Sequence, residues 1–440
     1  MGALGNTRGL TPNLDAFAAE STVFTQAWSQ ANTTSMSHAA LFTSRYPSEL
    51  GVPGTTFTLG AGAPTLAEVL GLYGYEPVAF TAGAHLEPGW GLERGFTKFA
   101  ATEPLGSFWH TLPAAEAWLD ARTATTPFFL FVHGYDAHAP YLDPAPYGTA
   151  WTAAPGTDAV RQLVGTELVF GQTLFHEESM MSALAGLDRP RPWDAEGQAA
   201  VAAMAAAGSH GATPFGDTDA AYVRDVYDGG VAYADALFGW FMVGLRARGR
   251  LDDTIVVVLG DHGEALGEQG RFGHGDSLAD EELHVPLYIR VPGAAPRRVD
   301  APVALLDVMP TLLDLTGAEA PAGIHGRSLR PWIEGAEGPA HDVIFAESNL
   351  RAVSARGAAG RLSFSGLGAG SPFLQGLMAT SLPTDAAWSI DTTVADPTAR
   401  EDLRRALLAW RATIRLPGAA VAPVDPALRE EMRKHGYFDR

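Results

Sequence analysis

Residues 255–264 read Ile-Val-Val-Val-Leu-Gly-Asp-His-Gly-Glu, and the fold and the site both start from this stretch. A short apolar run that ends in turn residues predicts a fully buried strand of a parallel sheet. Ligands of open α/β sheets bind outside the carboxyl ends of the strands. Asp261 and His262 therefore lie where a site is expected, and both residue types ligate metals. The same residues are also compatible with a simple acidic turn in which His262 caps a backbone carbonyl.

Composition restricts the class of protein. The chain has 440 residues, 46% of them hydrophobic and 18% charged, which is typical of a globular domain. Its formal net charge of −20 argues against a nucleic-acid partner, and an anionic substrate would need a local positive centre such as a metal ion. The absence of cysteine excludes disulfides, thiolate metal sites and cysteine nucleophiles. No apolar run of about 18 residues predicts a membrane span, and residues 1–6 lack the features of a signal peptide.

Segments with strand and helix patterns alternate as far as residue 345. This alternation predicts an α/β fold with a mostly parallel central sheet and helices on both faces. We expect residues 1–345 to form the catalytic domain. An excursion at about 145–218 lacks strand signals and is expected to cover the site or shape substrate choice. Residues 346–440 are expected to form a smaller C-terminal α+β unit.

Four segments at predicted strand ends or loops carry residues suited to catalysis. They are 34–38, His85, 133–138 and 261–274. In a parallel sheet these segments converge at one edge. The hydroxyl-rich residues before the Ala-Leu run at 39–41 mark a helix N-terminus, which either cradles an anion or is simply capped by Ser or Thr.

The order of six short motifs resembles the sulfatase family of the alkaline-phosphatase superfamily. Each motif alone is weak, but six in the family's order are specific, and together they cover about three-quarters of the chain. The motifs are T-P-N-L-D-A-F-A at Thr11, S-H-A-A-L-F-T-S-R-Y-P at Ser37, D-A-H-A-P-Y at Asp136, G-D-H-G-E at Gly260, F-G-H-G-D-S-L-A-D-E-E-L-H-V-P-L at Phe272 and L-L-D-V-M-P-T-L-L-D-L-T-G at Leu305.

The resemblance implies a role for individual residues. Thr34 falls on the family's modified nucleophile and His38 on its arginine, while His274 falls on a lysine that contacts sulfate or phosphate oxygens. His138 matches the histidine of the family's D-x-H-x-P-Y segment, and His85 loosely matches that of G-K-W-H. The expected catalytic residues are thus Thr34, His38, His85, His138 and His274, and the expected metal ligands are Asp261, His262 and Thr34.

The nucleophile departs from the sulfatase pattern. Thr34 cannot give the aldehyde of formylglycine, because its carbinol carbon carries a methyl group, and Ser35 is one position out of register. A threonine here resembles the phosphodiesterase and phosphoglycerol-transferase relatives, in which a metal-bound alkoxide attacks phosphorus. A hydroxyl needs a metal or a base to become a good nucleophile. Plain helix capping by Thr34 remains the alternative.

A second departure concerns the start of the chain. The family begins with an apolar strand that ends in a metal-binding aspartate, whereas residues 1–6 resemble the tail of the segment that follows it. From these letters, we expect the central sheet to lack one strand and the metal site to lack one carboxylate.

The sequence therefore predicts a metal-dependent hydrolase of sulfate or phosphate esters. The alternative is a non-catalytic or truncated sulfatase-like protein that acts as a binding module. The expected cofactor is a divalent cation (Ca, Mg, Mn or Zn), and a histidine ligand favours Mn or Zn. The expected partner is an anionic small-molecule or glycan ester, and the family is often periplasmic or secreted. With His38 and His274 in place of arginine and lysine, we expect the site's positive charge to change near neutral pH.

Overall fold

The computed structural model describes residues 1–51, 58–102, 106–139, 141, 146–153, 156, 217–275, 277–348, 352–366 and 388–414. The predicted α/β fold is confirmed, with mixed sheets and helices packed on them. Most of the predicted excursion at 145–218 lies outside the described residues.

The larger sheet contains four strands. They are β1 (Thr22–Trp28), β5 (Val256–Leu259), β8 (His284–Arg290) and β9 (Arg297–Ala304), in the order β5-β8-β1-β9. Strand β1 is parallel to β9, with Phe24 paired with Val299, and β8 is antiparallel to both β1 and β5. The antiparallel β8 departs from an all-parallel pattern because the chain re-enters the sheet at the edge where β5 ended. A strand that starts at that edge must run in the opposite direction.

A second sheet contains three parallel strands. They are β2 (Glu76–Thr81), β3 (Lys98–Ala101) and β4 (Phe128–Val132), in the order β3-β2-β4. Two short strands, β6 (Ala265–Leu266) and β7 (Phe272–Gly273), pair with each other beyond the end of β5.

Strands β4 and β5 are both half-buried, so the expectation that the strand at 255–259 is fully buried is wrong. Each has a single hydrogen-bonded neighbour among the described strands, β2 for β4 and β8 for β5. Their side chains nevertheless belong to common apolar layers. Phe131 and Val257 pack against one layer, and Leu130 and Val258 pack against another.

Ten described α-helices surround the sheets. They are α1 (Pro12–Ala18), α2 (Thr34–Thr43), α3 (Leu66–Leu72), α4 (Phe108–Ala121), α5 (Tyr147–Ala150), α6 (Asp217–Ala247), α7 (Asp280–Leu283), α8 (Val308–Thr316), α9 (Arg330–Glu334) and α10 (Pro397–Thr413). Helix α2 packs directly on the larger sheet, where its Leu41 and Phe42 share a core with Phe24 and Leu287. In the part of the chain that the structure describes, no helix is both long and apolar enough to cross a bilayer.

The C-terminal unit is an antiparallel sheet with one helix against it. Its strands are β10 (Ile344–Ser348), β11 (Ala352–Gly357), β12 (Gly360–Gly366) and β13 (Trp388–Thr392), in that order. Trp410 of α10 stacks on Phe345 of β10 at 4.8 Å between ring centroids. The backbone N–H of Glu347 donates to the carbonyl of Gln30, so this sheet is tied to the loop that precedes α2.

The carboxylate of Asp307 organises the chain where β9 passes into α8. It is buried and accepts hydrogen bonds from the backbone N–H groups of Ala304 and Arg327, both at 2.8 Å. Nε2 of His341 also lies within 3.0 Å of both carboxylate oxygens. The L-L-D motif thus serves the fold at this position.

We expect Asp307→Ala to lower the free energy of unfolding by about 3 kcal/mol or more, because it leaves buried N–H donors without acceptors. Urea denaturation would measure this change. The matched control is Asp314→Ala in α8, the helix that begins directly after Asp307; the Asp314 carboxylate is 42% exposed and pairs with Arg330. That control should cost less than about 1 kcal/mol. Equal losses in the two variants would contradict the role of Asp307.

Candidate active site

The N-terminus of α2 is fastened to the carboxyl end of β5. The hydroxyl of Ser37, in the first turn of α2, donates to the backbone carbonyl of Asp261 at 2.6 Å. Thr34 begins the helix and is buried. Its Oγ1 lies 3.4 Å from Nε2 of His262. The predicted nucleophile and the predicted ligand pair are therefore neighbours.

The turn after β5 is held by a close backbone approach. The N–H of Gly263 donates to the carbonyl of Glu282 at 2.8 Å. A Cβ at position 263 would lie 2.1 Å from the carbonyl oxygen of Glu281, so only glycine fits without movement. This contact fixes the direction in which Asp261 and His262 leave the strand.

Three potential metal ligands meet at this edge, namely His38 from α2, His133 after β4 and Asp261 after β5. One ligand atom from each lies within 4.8 Å of the other two. Nδ1 of His133 and Oδ2 of Asp261 are buried and have no hydrogen-bond partner among the described residues. Orphaned lone pairs of this kind fit a bound cation.

Burial keeps the imidazoles of this cluster neutral. It lowers the pKa of His38, and it lowers the pKa of His133 to about 3, helped there by the neighbouring His38. Burial works to raise the pKa of Asp261, but the imidazoles of His262 and His38 hold it well below its usual range. Neutral imidazoles and an ionised carboxylate are the states that ligate metals.

His133 is absent from the residues that the sequence analysis selects for catalysis or metal binding. The available signal was its position directly after the apolar run of β4, where strand ends carry site residues. The family's D-x-H-x-P-Y segment matches His138, so the predicted catalytic role went to His138 rather than to His133.

A second group of rings surrounds the first. The centroid of the His274 ring lies 4.3 Å from that of His262 and 5.0 Å from that of His138. Nδ1 of His274 shares a hydrogen bond with Oε1 of Glu264 at 2.8 Å. Nδ1–H of His262 donates to the carbonyl of Gly263 at 2.9 Å, and Nε2 therefore keeps a lone pair towards Thr34. His138 makes a similar bond to the carbonyl of Ala139.

The expected charge change near neutral pH is wrong. Burial lowers the pKa of His138 to about 4, and the neighbouring ring of His274 adds to that shift. Burial also lowers the pKa of His274 well below its usual value, and the ring of His262 adds to that shift. His38 shifts in the same direction. Burial also raises the pKa of Glu264 to about 7. The rings therefore carry little positive charge at neutral pH, because desolvation disfavours the imidazolium.

Two further residues from the family motifs lie nearby. His85 occupies a short 3-10 turn, Ala84–Leu86, and its ring centroid is 5.9 Å from that of Trp90. Its catalytic role stays a prediction. Asp136 accepts hydrogen bonds from the hydroxyl of Ser107 and from the N–H of Phe108, at the start of α4. This carboxylate serves the fold.

Comparison with known proteins agrees with this architecture. The Sulfatase family profile matches residues 1–318, and the chain belongs to the sulfatase family. Arylsulfatase K of Danio rerio is 38% identical over 112 residues, which are 25% of this chain and 21% of that protein. The matched segment spans about a fifth of the length of that protein and of its counterparts from Bos taurus and Canis lupus familiaris.

Solved structures show the same fold at low sequence identity. A phosphonate monoester hydrolase of Agrobacterium radiobacter superposes with a TM-score of 0.65 at 19% identity, covering 99% of this chain and 91% of that chain. A protein solved in complex with its substrate, D-glucosamine-2-N,6-O-disulfate, gives 0.63 at 21% identity, covering 98% and 94%. The resemblance drawn from the six motifs is confirmed.

We expect Gly263→Ala to destabilise the fold by about 1–3 kcal/mol, because the added methyl group must displace the carbonyl of Glu281. Thermal and urea unfolding would measure the change. Gly62→Ala is the matched control, since a Cβ there meets nothing within 4 Å. It should alter stability by less than about 1 kcal/mol. A variant at 263 as stable as this control would contradict the close approach.

The buried ring of His138 makes stability depend on pH. Its folded-state pKa of about 4 lies below the unfolded value of about 6.5, so the unfolded chain binds the proton more readily. This ring's contribution is complete above pH 6.5 and is lost as pH falls towards 4, amounting to about 3 kcal/mol. Urea denaturation of the metal-free chain across this range should show the loss. The slope should become shallower in His138→Asn and remain unchanged in His110→Asn, where the ring is exposed.

Proposed function

We propose that this protein is a metal-dependent hydrolase of sulfate or phosphate esters in which Thr34 is the nucleophile. The observation that carries the proposal is the position of the Thr34 hydroxyl. It lies 3.4 Å from Nε2 of His262, at the start of the helix that also carries His38. Membership of the sulfatase family supports an ester hydrolase, and the buried orphan atoms of Asp261 and His133 support a cation.

The charge of the site explains why a cation is needed. The surrounding imidazoles are neutral and the Asp261 carboxylate is ionised, within a chain of net charge −20. An anionic ester would therefore be repelled. A divalent ion held by Asp261 together with the neighbouring imidazoles would polarise the ester oxygens and lower the pKa of a hydroxyl beside it.

The chain's own residues then supply the proton transfers. Nε2 of His262 has a lone pair and lies 3.4 Å from Oγ1 of Thr34, so it accepts the hydroxyl proton as Oγ1 attacks in line. The bond to the leaving-group oxygen breaks in the same step, and water then hydrolyses the ester formed on Thr34. The predicted ligand role of His262 uses the same lone pair, so the two roles exclude each other at any moment. Free N–H groups in the first turn of α2 face incoming negative charge.

The pair of Glu264 and His274 is suited to protonate the leaving group. Burial raises the pKa of Glu264 to about 7, so its carboxyl group holds a proton over much of the neutral range. The protonated carboxyl donates to Nδ1 of His274, and Nε2 of that ring then carries a proton. General acid catalysis of this kind requires a pKa near the working pH.

The substrate is proposed as an anionic ester of a small molecule or a glycan. Similar folds include a phosphonate monoester hydrolase and a protein bound to a disulfated glucosamine. The threonine nucleophile is compatible with attack on phosphorus or sulfur, because the in-line geometry is the same for both tetrahedral centres.

The test is the hydrolysis of p-nitrophenyl sulfate, p-nitrophenyl phosphate, bis-p-nitrophenyl phosphate and a phenylphosphonate monoester by the full chain, with a series of divalent metals. We expect Thr34→Ala to lower kcat/KM by at least about 1000-fold, as removal of a nucleophile does, and Thr34→Ser to restore much of it. Thr43→Ala, at the other end of α2, is the control. If the Thr34→Ala variant hydrolyses these esters at the wild-type rate, Thr34 is not the nucleophile. A wild-type chain that hydrolyses none of these esters would favour the binding-module alternative.

A further inference from the structure

We infer that His38, His133 and Asp261 form a metal centre for a first-row transition-metal dication such as Zn²⁺, in preference to Ca²⁺ or Mg²⁺. The inference deepens the proposed function, on which it partly rests, because it names the class of ion at the same site. It also assigns a ligand role to His133.

The donor set selects the class of ion. Two imidazole nitrogens and one carboxylate oxygen suit zinc and its first-row neighbours, whereas Ca²⁺ takes six to eight oxygen ligands and Mg²⁺ prefers octahedral oxygen. Three protein ligands also leave a coordination position open, as in catalytic zinc sites. The buried carboxylate of Glu282 is already engaged by Asn32, Gly275 and Ser277. The buried carboxylate of Glu264 pairs with Nδ1 of His274.

The distances allow the three residues to bind one ion. The donor atoms lie within 4.8 Å of one another. Zinc–nitrogen bonds of about 2.0–2.1 Å place donors on one ion no more than about 4 Å apart. Closing the cluster therefore requires side-chain shifts of less than about 1 Å. The ligands come from a helix and from two different strand ends, so the fold itself brings them together.

Aromatic side chains orient the two imidazoles. The ring of His38 packs edge-on against Phe42 and Phe131, at 6.0 and 5.7 Å between centroids. The ring of His133 packs against Tyr135 at 4.6 Å and against His38 at 5.3 Å. This packing fixes the planes of the two rings and so keeps their lone pairs directed as a metal requires.

A simple buried ion pair explains less of the geometry. Nδ1–H of His38 donates to the backbone carbonyl of Thr34 at 2.8 Å, which leaves the lone pair of this ring on Nε2. The same Nδ1 lies 3.6 Å from Oδ2 of Asp261, which is too long for a hydrogen bond. An ion pair between these two residues also leaves Nδ1 of His133 buried without a partner, at a cost of about 1–3 kcal/mol. A cation gives the orphaned atoms of His133 and Asp261 a partner and uses the remaining lone pair of His38.

The first experiment uses the full wild-type chain after removal of metals with EDTA. Co²⁺ serves as a spectroscopic probe, and Zn²⁺, Mn²⁺, Mg²⁺ and Ca²⁺ are titrated by calorimetry and as competitors. We expect one equivalent of Co²⁺ to give visible d–d absorption and Zn²⁺ to displace it. Ca²⁺ and Mg²⁺ at 100-fold higher concentration should do neither. Tighter binding of Ca²⁺ or Mg²⁺ than of Zn²⁺, or the absence of any stoichiometric site, would overturn the proposal.

Variants then locate the ion. His133→Ala should raise the Kd for Zn²⁺ by more than about 100-fold, exceeding the 10–100-fold that loss of an outer-shell partner costs. His110→Ala removes an exposed histidine and should leave the Kd unchanged. Should His133→Ala fold poorly by circular dichroism, Asp261→Asn removes the carboxylate charge at constant size and should give the same loss. An unchanged Kd in a folded variant of either residue would refute the assignment.

These readouts are independent of turnover. A chain that binds one Zn²⁺ through His133 but hydrolyses no ester would overturn the proposed function and leave the metal centre standing. A chain that hydrolyses esters only with Ca²⁺ or Mg²⁺, and binds no Zn²⁺, would do the opposite.

Discussion

The hydrogen bond from the hydroxyl of Ser37 to the backbone carbonyl of Asp261 joins the two parts on which the site depends. It fastens the first turn of α2 to the carboxyl end of β5. Thr34 and His38, on one side of this bond, are thereby placed beside Asp261 and His262, on the other. The backbone of Gly263 also packs closely against the carbonyl group of Glu281, which supports the same turn. The residues proposed as nucleophile, base and metal ligands are thus positioned by hydrogen bonds and close contacts to the backbone.

Burial then decides the chemistry of that edge. Histidines that stand where the family has arginine and lysine do not replace their charge, because desolvation holds the rings neutral. Neutral rings offer lone pairs, which suits the cation and the proton transfers that we propose. In the proposed mechanism an anionic ester binds through that ion. The same desolvation raises the pKa of Glu264 to about 7, and the proposed mechanism uses this carboxyl as the source of the proton for the leaving group.

The motifs that identified the family divide into two groups when they are seen in the fold. The carboxylates of Asp136 and Asp307 accept hydrogen bonds from backbone N–H groups and thereby hold the starts of α4 and α8 in place. The histidines and Asp261 point into the site instead. A motif in the chain therefore signals the family without separating catalytic residues from structural ones.

The sequence by itself determined the α/β fold, because hydrophobic periodicity is a local property of the chain. It also determined the sulfatase family and the nearness of Thr34 to Asp261 and His262, because these follow from the order of the motifs. Most element positions follow from the same local signals. Only the tertiary structure decided the antiparallel direction of β8, the half-burial of β4 and β5, and the neutral state of the imidazoles. It alone brought His133 to Asp261. These features depend on which distant segments become neighbours, and both burial and ligand geometry are properties of that packing.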